Sequence, residues 1–99
     1  MGKSKSYKEH LLKSLQDPEE AAAYLDACLD DDDIHVFLLA LKDVAEAQGR
    51  MTKLSKDSSL NRQSLYRTLS NSGNPKIANV FSILSSLGME LHITPAAHR

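Results

Sequence analysis

The chain has 99 residues, a formal net charge of −1 and one cysteine, Cys28. A chain this short encloses a single modest core and has no room for a large substrate cleft. One cysteine excludes an internal disulfide and falls short of a structural zinc set, and no apolar run approaches the roughly 20 residues that span a bilayer.

The N-terminus Met1-Gly2-Lys3-Ser4-Lys5-Ser6 lacks the apolar stretch of a signal peptide, so a soluble, reducing, cytoplasmic setting is expected. It fits the short acylation pattern Met-Gly-x-x-x-Ser, which arises easily by chance. Gly2-Lys3-Ser4 lacks the upstream glycine and preceding strand of a phosphate loop. Ser6-Tyr7-Lys8-Glu9 reads as a capping box ahead of Leu11, Leu12 and Leu15, which predicts a short first helix. Asp17-Pro18-Glu19-Glu20 is a second start signal: an Asp cap, Pro at the first helical position, and acids at the positive end of the dipole. Ala21, Leu25, Cys28 and Leu29 recur on one face, which makes Cys28 a core residue rather than a nucleophile.

Asp30, Asp31, Asp32 and Asp33 lack the alternating spacing, glycine and distal glutamate of a calcium loop, so they read as a solvated linker plus an N-cap. Ile34, Phe37, Leu38, Leu41, Val44 and Ala45 then keep a helical period, and Gly49 offers the stop. Met51 to Asp57 and Asn61 to Leu69 form two short helical segments separated by Ser58-Ser59-Leu60, with Leu54, Leu60, Leu65 and Leu69 available to the core. After Ser70-Asn71-Ser72-Gly73, Asn74-Pro75 predicts another helix start. Ile77, Val80, Phe81, Leu84 and Leu87 form its apolar stripe before Gly88.

Met89 to Thr94 alternates apolar with polar residues and is closed by Pro95, as a half-buried strand would be. With no second strand candidate in the chain, pairing with another copy across a two-fold axis is the economical solution, with Met89, Leu91 and Ile93 in the seam; a tail packed on its own domain is the alternative. The expected organisation is an N-terminal helical extension over residues 1–32 and a helical domain over 33–99, folded as one unit.

Charge divides along the chain. Residues 1–48 hold eleven acids against five lysines, whereas residues 49–99 hold seven bases against two acids. The second half has the sign that DNA attracts, although ordinary surface solvation produces such splits too. With Asn61 as N-cap and Leu65 and Leu69 inward, Arg62, Gln63, Ser64, Tyr66 and Arg67 fall on the outer side of a short helix. Arginine binds both major-groove acceptors of guanine and glutamine binds adenine in the same forked way, so Arg62, Gln63 and Arg67 are the base-reading candidates. Asn61, Ser64 and Tyr66 would add contacts, while Lys53, Ser72, Asn74 and Lys76 would hold phosphates and set register. His10, His35, His92 and His98 show no ligand spacing, and no serine sits in a nucleophile elbow. No catalytic residue, metal or cofactor is therefore expected, and His92 reads as a surface or seam residue.

From Ile34 to Ile93 the chain resembles the Xre-type, lambda-repressor-like helix-turn-helix domain. More narrowly, it resembles the addiction-module antidotes called HigA-like antitoxins. The carriers are Asp17-Pro18-Glu19 with Tyr24-Leu25, Leu39-Ala40-Leu41, the run Leu60 to Ser70, Gly73-Asn74-Pro75, and Leu87-Gly88-Met89-Glu90-Leu91. The resemblance implies an all-α domain of five or six helices with a short C-terminal strand. It also implies a dimeric repressor of its own operon that silences a RelE/ParE-type toxin. Ser55 stands where that pattern commonly has alanine, and Ser59 where it commonly has glycine. Neutralisation by occlusion needs no catalysis, and Glu19, Glu20, Asp26 and Asp30 to Asp33 supply an acidic surface for a basic toxin. A stand-alone repressor, or an interaction module that does not bind DNA, are the alternatives.

Overall fold

The computed structural model describes residues 5–57, 61–70 and 74–96. Six helices follow one another: α1 (Lys5–Ser14), α2 (Pro18–Leu29), α3 (Ile34–Ala47), α4 (Met51–Asp57), α5 (Arg62–Thr68) and α6 (Ile77–Ser86). The fold is all-helical among the described residues.

Local chemistry sets most of the helix ends. Asp17 caps α2 by accepting the Glu19 amide at 3.0 Å, with Pro18 at the first position. Asp33 caps α3 by accepting the His35 amide at 3.0 Å, and Asp31 accepts the Asp33 amide at 2.9 Å, which folds the aspartate run into a tight link. The His35 backbone amide and then its ring, 3.0 Å away, hold the Asp33 carboxyl below the usual range.

Two glycines end helices in the same way. Gly49, at φ 64°, lets its own amide reach Glu46 at 3.1 Å while Arg50 reaches Ala45 at 2.9 Å. Gly88, at φ 77°, does the same with Ser85 at 3.0 Å and Met89 with Leu84 at 2.9 Å. Both are paired reverse bonds that satisfy the last carbonyls, and both need a left-handed residue that glycine adopts without strain.

α3 is the axis of the molecule, touching α1, α2 and α4, while α4 in turn carries α5 and α6. Leu38, Leu41, Val44 and Ala45 of α3 are fully buried, and around them close Leu15, Ala21 and Leu25 from the N-terminal side and Leu65, Leu69 and Ile83 from the C-terminal side. The N-terminal helices thus share one core with the rest. Two polar links reinforce them: the Tyr24 hydroxyl donates to Asp43 at 3.3 Å, and Lys8 approaches Glu46 at 3.9 Å. Burial, helped by the Asp43 charge, pushes the Tyr24 hydroxyl up to about 12, and burial also raises Asp43 against the pull of Lys8. Cys28 packs against the core with its thiol pushed up by burial. That is the state of an inert structural cysteine.

Several expectations need correction. Ser6 lies inside α1, which already includes Lys5, so it does not cap that helix. α6 begins at Ile77 with Lys76 as an uncapped N-cap, two residues beyond Pro75. Leu29, Ile34, Ile77 and Phe81, expected in the core, are 43%, 53%, 69% and 49% exposed. The buried stripe on α6 runs through Val80, Ile83, Leu84 and Leu87, and so includes Ile83, which the expected stripe lacks. No strand forms among the described residues: Met89 packs on the core, and from Glu90 to Ala96 the chain runs without helix, turn or ladder. A lone segment has no ladder partner within its own chain, so the expected strand is not formed within it.

Candidate nucleic-acid interface

α4 and α5 are each seven residues long and pack against one another on the C-terminal side of α3. Asn61 starts α5, its side-chain oxygen accepting the Ser64 amide at 2.7 Å, and the Leu65 amide closes the first turn on the Asn61 carbonyl at 2.9 Å. Leu65 and Leu69 are fully buried, which fixes the rotation of the helix. Gln63, Tyr66 and Arg67 are therefore exposed and Ser64 half-buried, as an apolar pair at four-residue spacing requires. Arg62 opens α5, and its side chain, like that of Leu54, lies outside the described residues, as do Ser59, Leu60 and Ser72.

The Lys42 ammonium sits 5.9 Å from the centre of the Tyr66 ring, pinning the outer face of α5 to the second half of α3. Tyr66 also meets Glu46, Gly49, Met51 and Thr52 around a small hollow, so α5 stands at the C-terminal end of α3. Ser55, exceptional for its pattern, donates its hydroxyl to the Thr52 carbonyl at 3.2 Å.

The predicted phosphate-holding residues do not form one group. Lys53 lies with Arg50 beside Ser82, Ser85 and Ser86 near the end of α6. Asn74 lies instead beside Leu29, Ile34 and Phe37, where α2 meets α3. Lys76 is exposed at the start of α6, about 14 Å along the helix from Ser85. Sequence reasoning passed over Arg50 as an individual; its signal was membership of the basic run after Gly49.

The acids also separate. Glu19 and Glu20 lie in the first turn of α2, and Asp30 to Asp33 follow its last, roughly 16 Å away at the rise of a 12-residue helix. All are exposed, as is Asp26 between them. Asp30 to Asp33 and bare apolar side chains therefore lie at the N-terminal end of α3. Glu19 and Glu20 instead follow Pro18, which borders Ala47 and Gln48 at the other end, where α5 exposes Gln63 and Arg67.

Along 6–95 the sequence matches a family model described as "Probable addiction module antidote protein". The chain belongs to that antidote family. A relative from Haemophilus influenzae, itself called an uncharacterized protein, is 34% identical over 85 residues, covering 86% of this chain and 82% of that one. No solved structure matches significantly. For this antidote-family chain the match spans α1 to the segment after α6, so the N-terminal helices belong to the family pattern as much as α4 and α5 do. Among its described residues no group of three or more His, Cys, Asp or Glu is placed to hold a metal ion, and no helix is long and apolar enough to cross a membrane.

Proposed function

We propose that this chain is the antitoxin of a type II toxin–antitoxin module, cytoplasmic and without catalytic activity. It neutralises a RelE/ParE-type toxin by covering it, and as a homodimer it represses its own operon by binding operator DNA. Family membership is the observation that carries the antitoxin reading. For DNA binding the support is the rotation of α5: with Leu65 and Leu69 buried, the polar side of a short, capped helix faces outward beside α4, as an Xre-type helix-turn-helix requires. Arg62, Gln63 and Arg67 are the base readers in this reading, with Asn61, Ser64, Tyr66, Lys53, Ser72, Asn74 and Lys76 as further contacts. Glu19, Glu20, Asp26 and Asp30 to Asp33 meet the basic toxin.

The first experiment is growth of cells expressing the small open reading frame adjacent to the gene, with and without this chain. Growth arrest relieved by co-expression is expected; a well-expressed neighbour that causes no arrest would leave a stand-alone repressor. The second is affinity for upstream DNA against salt. Each phosphate neutralised contributes a slope of about −0.9, so affinity should fall steeply, and Lys76→Ala should flatten the slope by about one such unit. Absent or salt-insensitive binding would refute the DNA reading and leave an interaction module.

A further inference from the structure

The C-terminal segment leaves Ile93 94% exposed and Leu91 46% exposed. Leu91 borders an apolar groove of about 310 Å³ whose walls include Leu29, Ile34, Ile77 and Phe81. Beside it a hollow of about 90 Å³ opens between Ala22, Leu25, Leu84, Met89 and Leu91, with Asp26 and Glu90 also on its wall. Single exposed apolar side chains are ordinary, but five large ones around one pair of depressions mark a surface that binds something. The hollow is smaller than the roughly 150 Å³ apolar cavity that accepts benzene and suits one branched aliphatic side chain.

The segment carries a side-chain code that selects its own copy. In an antiparallel pair centred on Leu91, Met89 faces Ile93 and Glu90 faces His92 across the seam, apolar against apolar and acid against imidazole. Centring on residue 90 sets Glu90 against itself, and centring on 92 sets His92 against itself. A slip of one residue puts Glu90 against Leu91 and mixes the two faces. Glu90 and His92 already share one side of the segment, their side chains 2.8 Å apart, which leaves Met89, Leu91 and Ile93 for the other. Residues directly opposite in such a pair have Cβ atoms about 5 Å apart, so the second copy's Ile93 arrives beside Met89, on the rim of the hollow.

We propose that a second copy of this chain docks here, its residues 89–93 pairing antiparallel about Leu91 and its Ile93 filling the hollow between α2, α6 and Met89. This rests on the homodimer reading above and adds its register and its anchor.

The test uses the full chain. In a Cys28→Ser background, Leu91→Cys should give a disulfide-linked dimer on mild oxidation, because residues facing across a two-fold lie about 4.5 to 5.5 Å apart at Cα, within disulfide range. Glu90→Cys or His92→Cys alone should not cross-link, whereas the two together should. Ile93→Asp, at a side chain exposed in the single chain, should keep the helical spectrum and weaken dimerisation at least about a hundredfold by sedimentation, since each dimer loses two buried isoleucines. A dimer that survives Ile93→Asp, or cross-links at 90 or 92 alone, overturns the register while the dimer reading stands. A wild-type chain that sediments as a monomer at every workable concentration overturns both.

Discussion

Asn61 offers the sharpest separation of helix stability from DNA contact. Its side-chain oxygen is 2.7 Å from the Ser64 amide, at the start of a helix of only seven residues. Asn61→Ala removes that acceptor, and the loss of such a cap costs about 1 kcal/mol, whereas Asn61→Gly costs only a few tenths. For a chain of 99 residues, 1 kcal/mol corresponds to a fall in Tm of roughly 4–8 °C, and the glycine variant should fall by no more than about 2 °C. Asn61→Asp keeps the acceptor and places a negative charge at the positive end of α5, so its Tm should match or exceed that of the wild type. The same charge faces phosphates if α5 enters the major groove, and DNA affinity should drop by roughly tenfold or more. Calorimetric melting and fluorescence anisotropy on the same three variants give the answer. Equal melting of the alanine variant and wild type would refute the cap. Wild-type DNA affinity in the aspartate variant would refute the placement of this helix end against DNA.

Leu65→Ala opens a cavity at a fully buried position under α5, and a denaturant titration should show a loss of about 2–5 kcal/mol. Tyr24 supplies a pH test, read by ultraviolet titration of the phenols: one tyrosine should ionise near 12, and Tyr24→Phe should abolish that step. Because its folded value is raised above 10.0, the contribution of Tyr24 to stability is complete below pH 10 and disappears as pH rises through about 12, so stability should decline across that window in the wild type and less steeply in Tyr24→Phe.

What the sequence disclosed was mostly what short-range chemistry decides. Asp17, Asp33 and Asn61 cap the helices they were expected to cap, and Gly49 and Gly88 end the helices they were expected to end. These are contests within four or five residues. The start of α6 was misplaced because Asn74-Pro75 is a strong local signal, yet Lys76 keeps extended backbone (ψ 147°) and the helix waits until Ile77. The direction of α6 was misread for a different reason. Ile77 and Phe81 lie one turn apart and so do Val80 and Ile83, and periodicity does not say which pair is turned to the core. For the candidate interface, burial of Leu65 and Leu69 was legible from their four-residue spacing, and with it the outward face of α5. The scattering of Lys53, Asn74 and Lys76 was not, because it depends on how α6 lies across the other helices.

Leu15, Ala21 and Leu25 bind the fate of the first two helices to that of the other four. A protein whose acidic end and helix pair were separate modules would tolerate a cut between them, and one half would outlive the other. Here a protease that unravels α1 and α2 strips the cover from Leu38 and Leu41, and α4 and α5 lose the support that orients them. Both proposed activities therefore share one lifetime. A cell that degrades this protein from its N-terminus ends them together.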